Sequence, residues 1–138
     1  MKTQIITIFT LFTLISCGVD KYSTTENQKI RQEILKTKFN DEDVTAIEIV
    51  EIEHPMLGGI VSTIQLNDEQ KKKFLSDFDK LKNIGICKCR SNYIVRIILE
   101  SKTLKLKVCG NMVSNREKDI YYELPNGKSI IDQYLNKK

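Results

Sequence analysis

The stretch "YIVRIILESKTLKLKVC", residues 93–109, decides the fold. Apolar and polar side chains alternate on both sides of Glu100-Ser101-Lys102, the two-residue period of a strand with one buried face. With Ser101-Lys102 as a two-residue turn, Glu100 faces Thr103. Leu99 then meets Leu104, Ile97 meets Leu106 and Val95 meets Val108, all on one side. The other side sets Ile98 against Lys105 and Arg96 against Lys107. Like charges held opposite one another repel unless water or a neighbouring strand separates them, so this is the wetter face. A hairpin with one apolar face needs a second layer to cover it.

Outward from the hairpin, the pattern supplies both more strands and that layer. On the C-terminal side, "GNMVSNREKD" reads as a loop, Ile120–Leu124 as a strand, and Pro125-Asn126-Gly127 as its stop. Ser129 with Asp132 opens a last helix that docks Ile130, Ile131, Tyr134 and Leu135. On the N-terminal side, Asn67 or Asp68 caps a helix, Gln70 completes the capping box, and Phe74, Leu75, Phe78 and Leu81 form its apolar stripe. Asn83 and Gly85 suit a left-handed helix end. Before that helix, strands over Val44–Glu53 and Ile60–Leu66 flank the turn residues "HPMLGG". The class is therefore α+β: a small antiparallel sheet in the order β-β-α-β-β-β-α with helices packed on one face.

The front of the chain is of another kind. In "TLFTLISCGVD", residues 10–20, an apolar run stops at a cysteine. The 11 residues from Ile5 to Ile15 are apolar or Thr, preceded by the single cation Lys2. As a helix they span roughly 16 Å, about half of what crosses hydrocarbon. A basic start, a short apolar core and small residues before the break mark a secretory signal peptide. Leu14-Ile15-Ser16-Cys17 resembles the lipobox of bacterial lipoproteins. The resemblance covers residues 1–17 and implies cleavage before Cys17, a diacylglyceryl group on its sulfur, and acylation (palmitate-type chains) of the new amino terminus. It makes Cys17 the lipidation site and the lipid bilayer the first partner. Gly18 stands where an Asp would favour inner-membrane retention, which points to the outer membrane.

The domains follow: a lipoprotein signal peptide over 1–16, the lipidated Cys17 with a small polar tether to residue 25, a short helix or spacer over 26–39, and one α+β domain over 40–138. Thr25 with Gln28 suits a capping box, and Ile30, Ile34 and Leu35 follow at helical spacing. The chain carries 22 basic and 18 acidic side chains. Removing Lys2 with the leader leaves it nearly balanced, which argues against nucleic acid as a partner.

Export places Cys87, Cys89 and Cys109 in an oxidising compartment where thiols pair. Three thiols allow one bridge and leave one over. Cys109 falls on the wetter face, while Cys87 and Cys89, on a strand extended backward, point to the other side. A bridge to Cys109 needs the chain to bend at Arg90-Ser91-Asn92. Extended i, i+2 residues lie ~6.5 Å apart at Cα, near the upper limit for a disulfide, which disfavours Cys87–Cys89. Cys89–Cys109 is the preferred pair. The alternative is a metal or redox site, since Cys87, Cys89 and Cys109 offer three soft ligands for Cu(I) or Zn(II), with His54 as a conceivable fourth.

His54 is the only histidine and precedes Pro55 in a turn. It lacks a nucleophile frame such as Gly-x-Ser-x-Gly. Glu48, Glu51 and Glu53 can form an acidic strip, and Tyr121-Tyr122 would divide between core and surface, the outer ring serving as a binding anchor. None of these patterns carries catalysis or demands a cofactor. The sequence thus leads to a membrane-anchored, non-enzymatic binding module of the cell envelope with a protein partner, facing periplasm or cell surface. Its format is that of an immunity or inhibitor protein, and the alternative is the thiol-based metal or redox protein.

Overall fold

The computed structural model describes residues 28–54, 58–115 and 119–135. Cys17, the leader, the tether and the Thr25 half of the capping box lie outside these residues. The first described element is a helix over 28–35 (α1). A 3₁₀ turn, Asp41–Asp43, leads into β1 (Val44–Ile52) and β2 (Ile60–Gln65), then α2 (Asp68–Phe78). Next come β3 (Lys82–Ile86), β4 (Tyr93–Leu99), β5 (Thr103–Cys109), β6 (Met112–Asn115) and β7 (Ile120–Glu123), and a 3₁₀ turn, Asp132–Tyr134. All seven strands form one antiparallel sheet in the order β2-β1-β4-β5-β6-β7-β3.

The broad class stands, an antiparallel sheet with two helices, but the expected β-β-α-β-β-β-α order does not. Two strands are additional, and the expected last helix contracts to the 3₁₀ turn at Asp132–Tyr134. β6 forms because Gly110-Asn111, with Gly110 at φ +60°, makes the tight connection that sets Cys109 opposite Met112. β3 forms because α2 stops at Phe78, before Asn83 and Gly85. The chain there pairs with β7, and Gly85, at φ +94°, sits in a register shift against Tyr121 and Tyr122. The Gly85 amide donates to Asn83 Oδ1 at 2.8 Å, so both residues serve an irregular edge strand.

The central hairpin keeps its faces and changes its register. Ile97 faces Leu104, Val95 faces Leu106 and Tyr93 faces Val108, two residues away from the expected pairing. A two-residue turn at Ser101-Lys102 requires positive φ of Ser101 or of both residues. Lys36 is the one non-glycine residue with positive φ among the described residues. The chain instead closes over Leu99–Lys102, with the Leu99 amide donating to the Lys102 carbonyl at 2.8 Å. A shift of two leaves every side chain on its own face, so the inside-outside assignment survives.

One face carries the core. Ile47, Ile49, Val95, Ile97, Leu106, Val113 and Tyr122 join Ile34 and Leu35 of α1 and Phe74, Leu75 and Phe78 of α2 in a single buried cluster. α2 is fixed at its start by a reciprocal capping box: Asn67 Oδ1 accepts from the Gln70 amide and Gln70 Oε1 accepts from the Asn67 amide, both at 2.9 Å. α1 is docked, not a loose spacer. Arg31 is 4% exposed, and its guanidinium donates to Asp79, Asp41 and the Phe39 carbonyl. The Tyr122 hydroxyl adds a bond to Glu33 Oε1 at 3.1 Å, and burial together with that carboxylate pushes the phenol up to about 12.

Candidate functional site

The face of the sheet turned away from the helices is the candidate site, and the route of the chain divides it in two. β3 lies at one edge, beside β7, while β4 lies four places along the sheet. At ~4.8 Å per strand the transit is ~19 Å, and a six-residue connection spans little more than this. The connecting residues 87–92 therefore run nearly straight across. The Cys87 amide still donates to the Asp119 carbonyl next to β7. Cys89 then reaches Cys109 at disulfide distance, with Cα atoms 6.2 Å apart. Ser91, 7% exposed, bonds the Val108 carbonyl, and its oxygen accepts from the Tyr93 amide at 3.1 Å.

Cys109 alternates with Val108 and points away from the core cluster, so its link to Cys89 fixes this strap on the open face. Between the two anchor points lie β6 and β7. Ser114 and Tyr121, which also point away from the core, are each 1% exposed. The bend expected at Arg90-Ser91-Asn92 thus becomes a strap that seals half of the second face. Cys87, half-buried, remains a free thiol.

The other half, formed by β2, β1, β4 and the start of β5, has no such cover. Its floor is Val50, Ile52 and Ile94, with Ile60 at the rim and Gly58 from the β1–β2 turn, around a groove of about 270 Å³. Ile60 and Val61 are 63% and 57% exposed, two of the four exposed large apolar side chains among the described residues. Across the floor runs a charged row. Glu48 faces Arg96 in one register and Arg96 faces Lys105 in the next. Glu48 Oε2 stands 2.6 Å from Arg96 Nη2, and Arg96 Nε is buried without a hydrogen-bond partner. One carboxylate answers two cations, so the row has an unmatched positive charge and an unused donor beside an apolar floor.

The chain matches no family model, no curated protein and no solved structure. The site is therefore read on its own geometry.

That geometry separates several residues that the sequence grouped. Glu48 is on the open face, while Glu51 accepts from the Ser62 hydroxyl at 3.1 Å on the opposite face and Glu53 lies in the turn; there is no acidic strip. Neither tyrosine is a surface anchor. Tyr122 belongs to the core and Tyr121 is shut beneath the strap, with Lys107 Nζ 5.9 Å from its ring centre. His54 is exposed at the β1–β2 turn, where its carbonyl accepts from Gly58. Among the described residues, no three His, Cys, Asp or Glu side chains are grouped to hold a metal ion. No helix among them is long and apolar enough to cross a membrane.

The apolar floor itself was hidden in the sequence, because Val50, Ile52 and Ile94 alternate with core residues on strands that appear apolar on both sides. Arg96 and Lys105 were visible as outward cations. Their direct opposition, and the single carboxylate they share, depend on the register.

Proposed function

We propose that this chain is a lipid-anchored, non-enzymatic binding module of the bacterial cell envelope, and that the uncovered half of its sheet receives a protein partner. The anchor reading rests on Leu14-Ile15-Ser16-Cys17 after a short apolar run. The binding reading rests on the open groove, where an apolar floor lies beside a cationic row short of one carboxylate. Soluble monomers seldom leave contiguous apolar surface open, and such surface rimmed by polar groups marks recognition. Its complement is a protein segment bearing apolar side chains and an acidic group to meet Lys105 and Arg96. The format suits an immunity or inhibitor lipoprotein, held where an incoming protein arrives.

The test is quantitative capture of the envelope partner by the full chain, by Ile60→Asp/Lys105→Glu, and by Lys72→Glu on the outer side of α2. Partner recovery is expected to fall at least about tenfold for the first variant, which loses one apolar contact and reverses one charge, and to hold for the second. Equal recovery by all three would show that the open face is not the interface. The thiol-based alternative makes a different demand, three reduced sulfurs with bound metal, whereas the strap leaves Cys87 alone free.

A further inference from the structure

A second concave surface lies on the other side of the molecule's upper end, and its chemistry is different. It is a groove of about 620 Å³, walled by Leu35 at the end of α1 and Lys36 and Thr37 after it, by Lys102–Lys105 at the β4–β5 turn, and by Asn115. It opens there because β6 ends at Asn115, opposite Leu106, so the first residues of β5 outrun it. Two lysines, Lys36 and Lys102, stand at it, whereas Lys105 adds to the wall but alternates with Leu104 and sends its side chain to the open face beside Arg96. Lys102 Nζ donates to Thr37 Oγ1 at 2.9 Å. Among the described residues no carboxylate lines the groove, and none is within ion-pair distance of these two amines.

Lys36 adds an independent sign. Its amide donates to the Gln32 carbonyl at 2.9 Å and its φ is +57°, so it occupies the left-handed position that ends a helix. Glycine is the residue favoured there, and a side chain with Cβ is strained. A lysine at that position sets a cation at the groove against the backbone's preference. Sparsely populated backbone at a polar concavity is the kind of local cost that accompanies ligand sites.

We propose that this groove binds a phosphate-bearing anion. Two ammonium groups without an acidic partner call for more than one negative charge on the ligand. Lysines act as compact, separately rotating point charges that suit a tetrahedral phosphate, whereas planar carboxylates favour the fork of arginine. The phosphate belongs either to a soluble molecule or to an anionic lipid headgroup. The second source rests on the anchor at Cys17, which would hold α1 and the groove near a bilayer.

The experiment measures acylation rates of individual lysines in the full cell-made chain at low ionic strength. The probes are inorganic pyrophosphate, and phosphatidylcholine vesicles with or without one-third phosphatidylglycerol. Lys36 and Lys102 are expected to react several-fold more slowly with a phosphate-bearing probe, while Lys105 on the open face and Lys72 on α2 do not change. Protection by pyrophosphate alone assigns a soluble ligand and stands even if Cys17 carries no lipid; protection by phosphatidylglycerol alone assigns the headgroup. Lys102→Gln should weaken the interaction about fivefold. Lys36→Gly should weaken it similarly while raising the melting temperature by roughly 4 °C, because strain is relieved. Unselective protection, or none with either probe, overturns the proposal.

Discussion

Arg31→Ala is expected to destabilise the domain by about 3–5 kcal/mol in urea unfolding, the penalty for leaving a buried charge without its partner. Arg31 and Asp79 have side chains only 5% and 9% exposed. The guanidinium makes a two-pronged contact, Nε to Oδ1 and Nη2 to Oδ2, each 2.8 Å. It also reaches Asp41 at 2.6 Å and the Phe39 carbonyl at 3.1 Å, and stacks 5.1 Å from the centre of the Phe39 ring. One side chain on α1 thereby ties together the end of α2 and the segment that leads into β1. Burial pushes the Asp79 carboxyl up, and the hydrogen bonds from Arg31 oppose that. Without Arg31 the opposition is gone and the carboxylate remains desolvated. Arg31→Lys keeps the charge but not the fork, so it should recover only part of the loss. Replacing both partners, as Arg31→Met with Asp79→Leu, should cost much less than Arg31→Ala, since it removes the desolvated charges together. A cost under about 1 kcal/mol for Arg31→Ala would mean that α1 is not held in this way.

Cys109→Ala should cost about 3 kcal/mol, the loop-closure value for a crosslink between residues 20 apart in sequence. The effect should be reproduced by a reductant on the parent and be absent when the reductant is added to the variant. The link also has a local task. Residues 87–92 cross the sheet with few bonds of their own: one amide to Asp119 near the start, and Ser91 and the Asn92 carbonyl, which accepts from the Ile52 amide, near the end. Cutting the link should therefore raise hydrogen exchange at Ser114 and Tyr121 before the helix face responds. Cys87→Ala should do neither. Stability that is indifferent to both Cys109→Ala and reductant would remove the crosslink from the strap.

Much of this architecture is visible in the side-chain periods, and the failures have identifiable causes. The hairpin, α2 and its cap are legible because each is specified by a local pattern in which propensity and burial agree. β6 was within reach, since Gly110-Asn111 between apolar residues is a two-residue hairpin signal, but a run of polar residues after it resembled a loop. β3 was not. Lys82-Asn83-Ile84-Gly85-Ile86 is poor in strand formers, and its pairing with β7 is a tertiary choice made nearly forty residues away. The Arg31 cluster has the same origin, for nothing near Arg31 in sequence announces Asp79, 48 residues on. The site is less legible than the fold. Which apolar residues stay uncovered depends on where the strap runs, and the strap follows from strand order.

The most direct measurement is the intact mass of the protein made in its own cells, before and after alkylation of free thiols. The expected product begins at Cys17, carries diacylglyceryl and acyl additions there, and takes up a single alkyl group at Cys87, with Cys89 and Cys109 joined. A chain that retains residues 1–16, or bears an unmodified Cys17, or takes up three alkyl groups among Cys87, Cys89 and Cys109, would contradict the picture of a tethered envelope module with a strapped sheet.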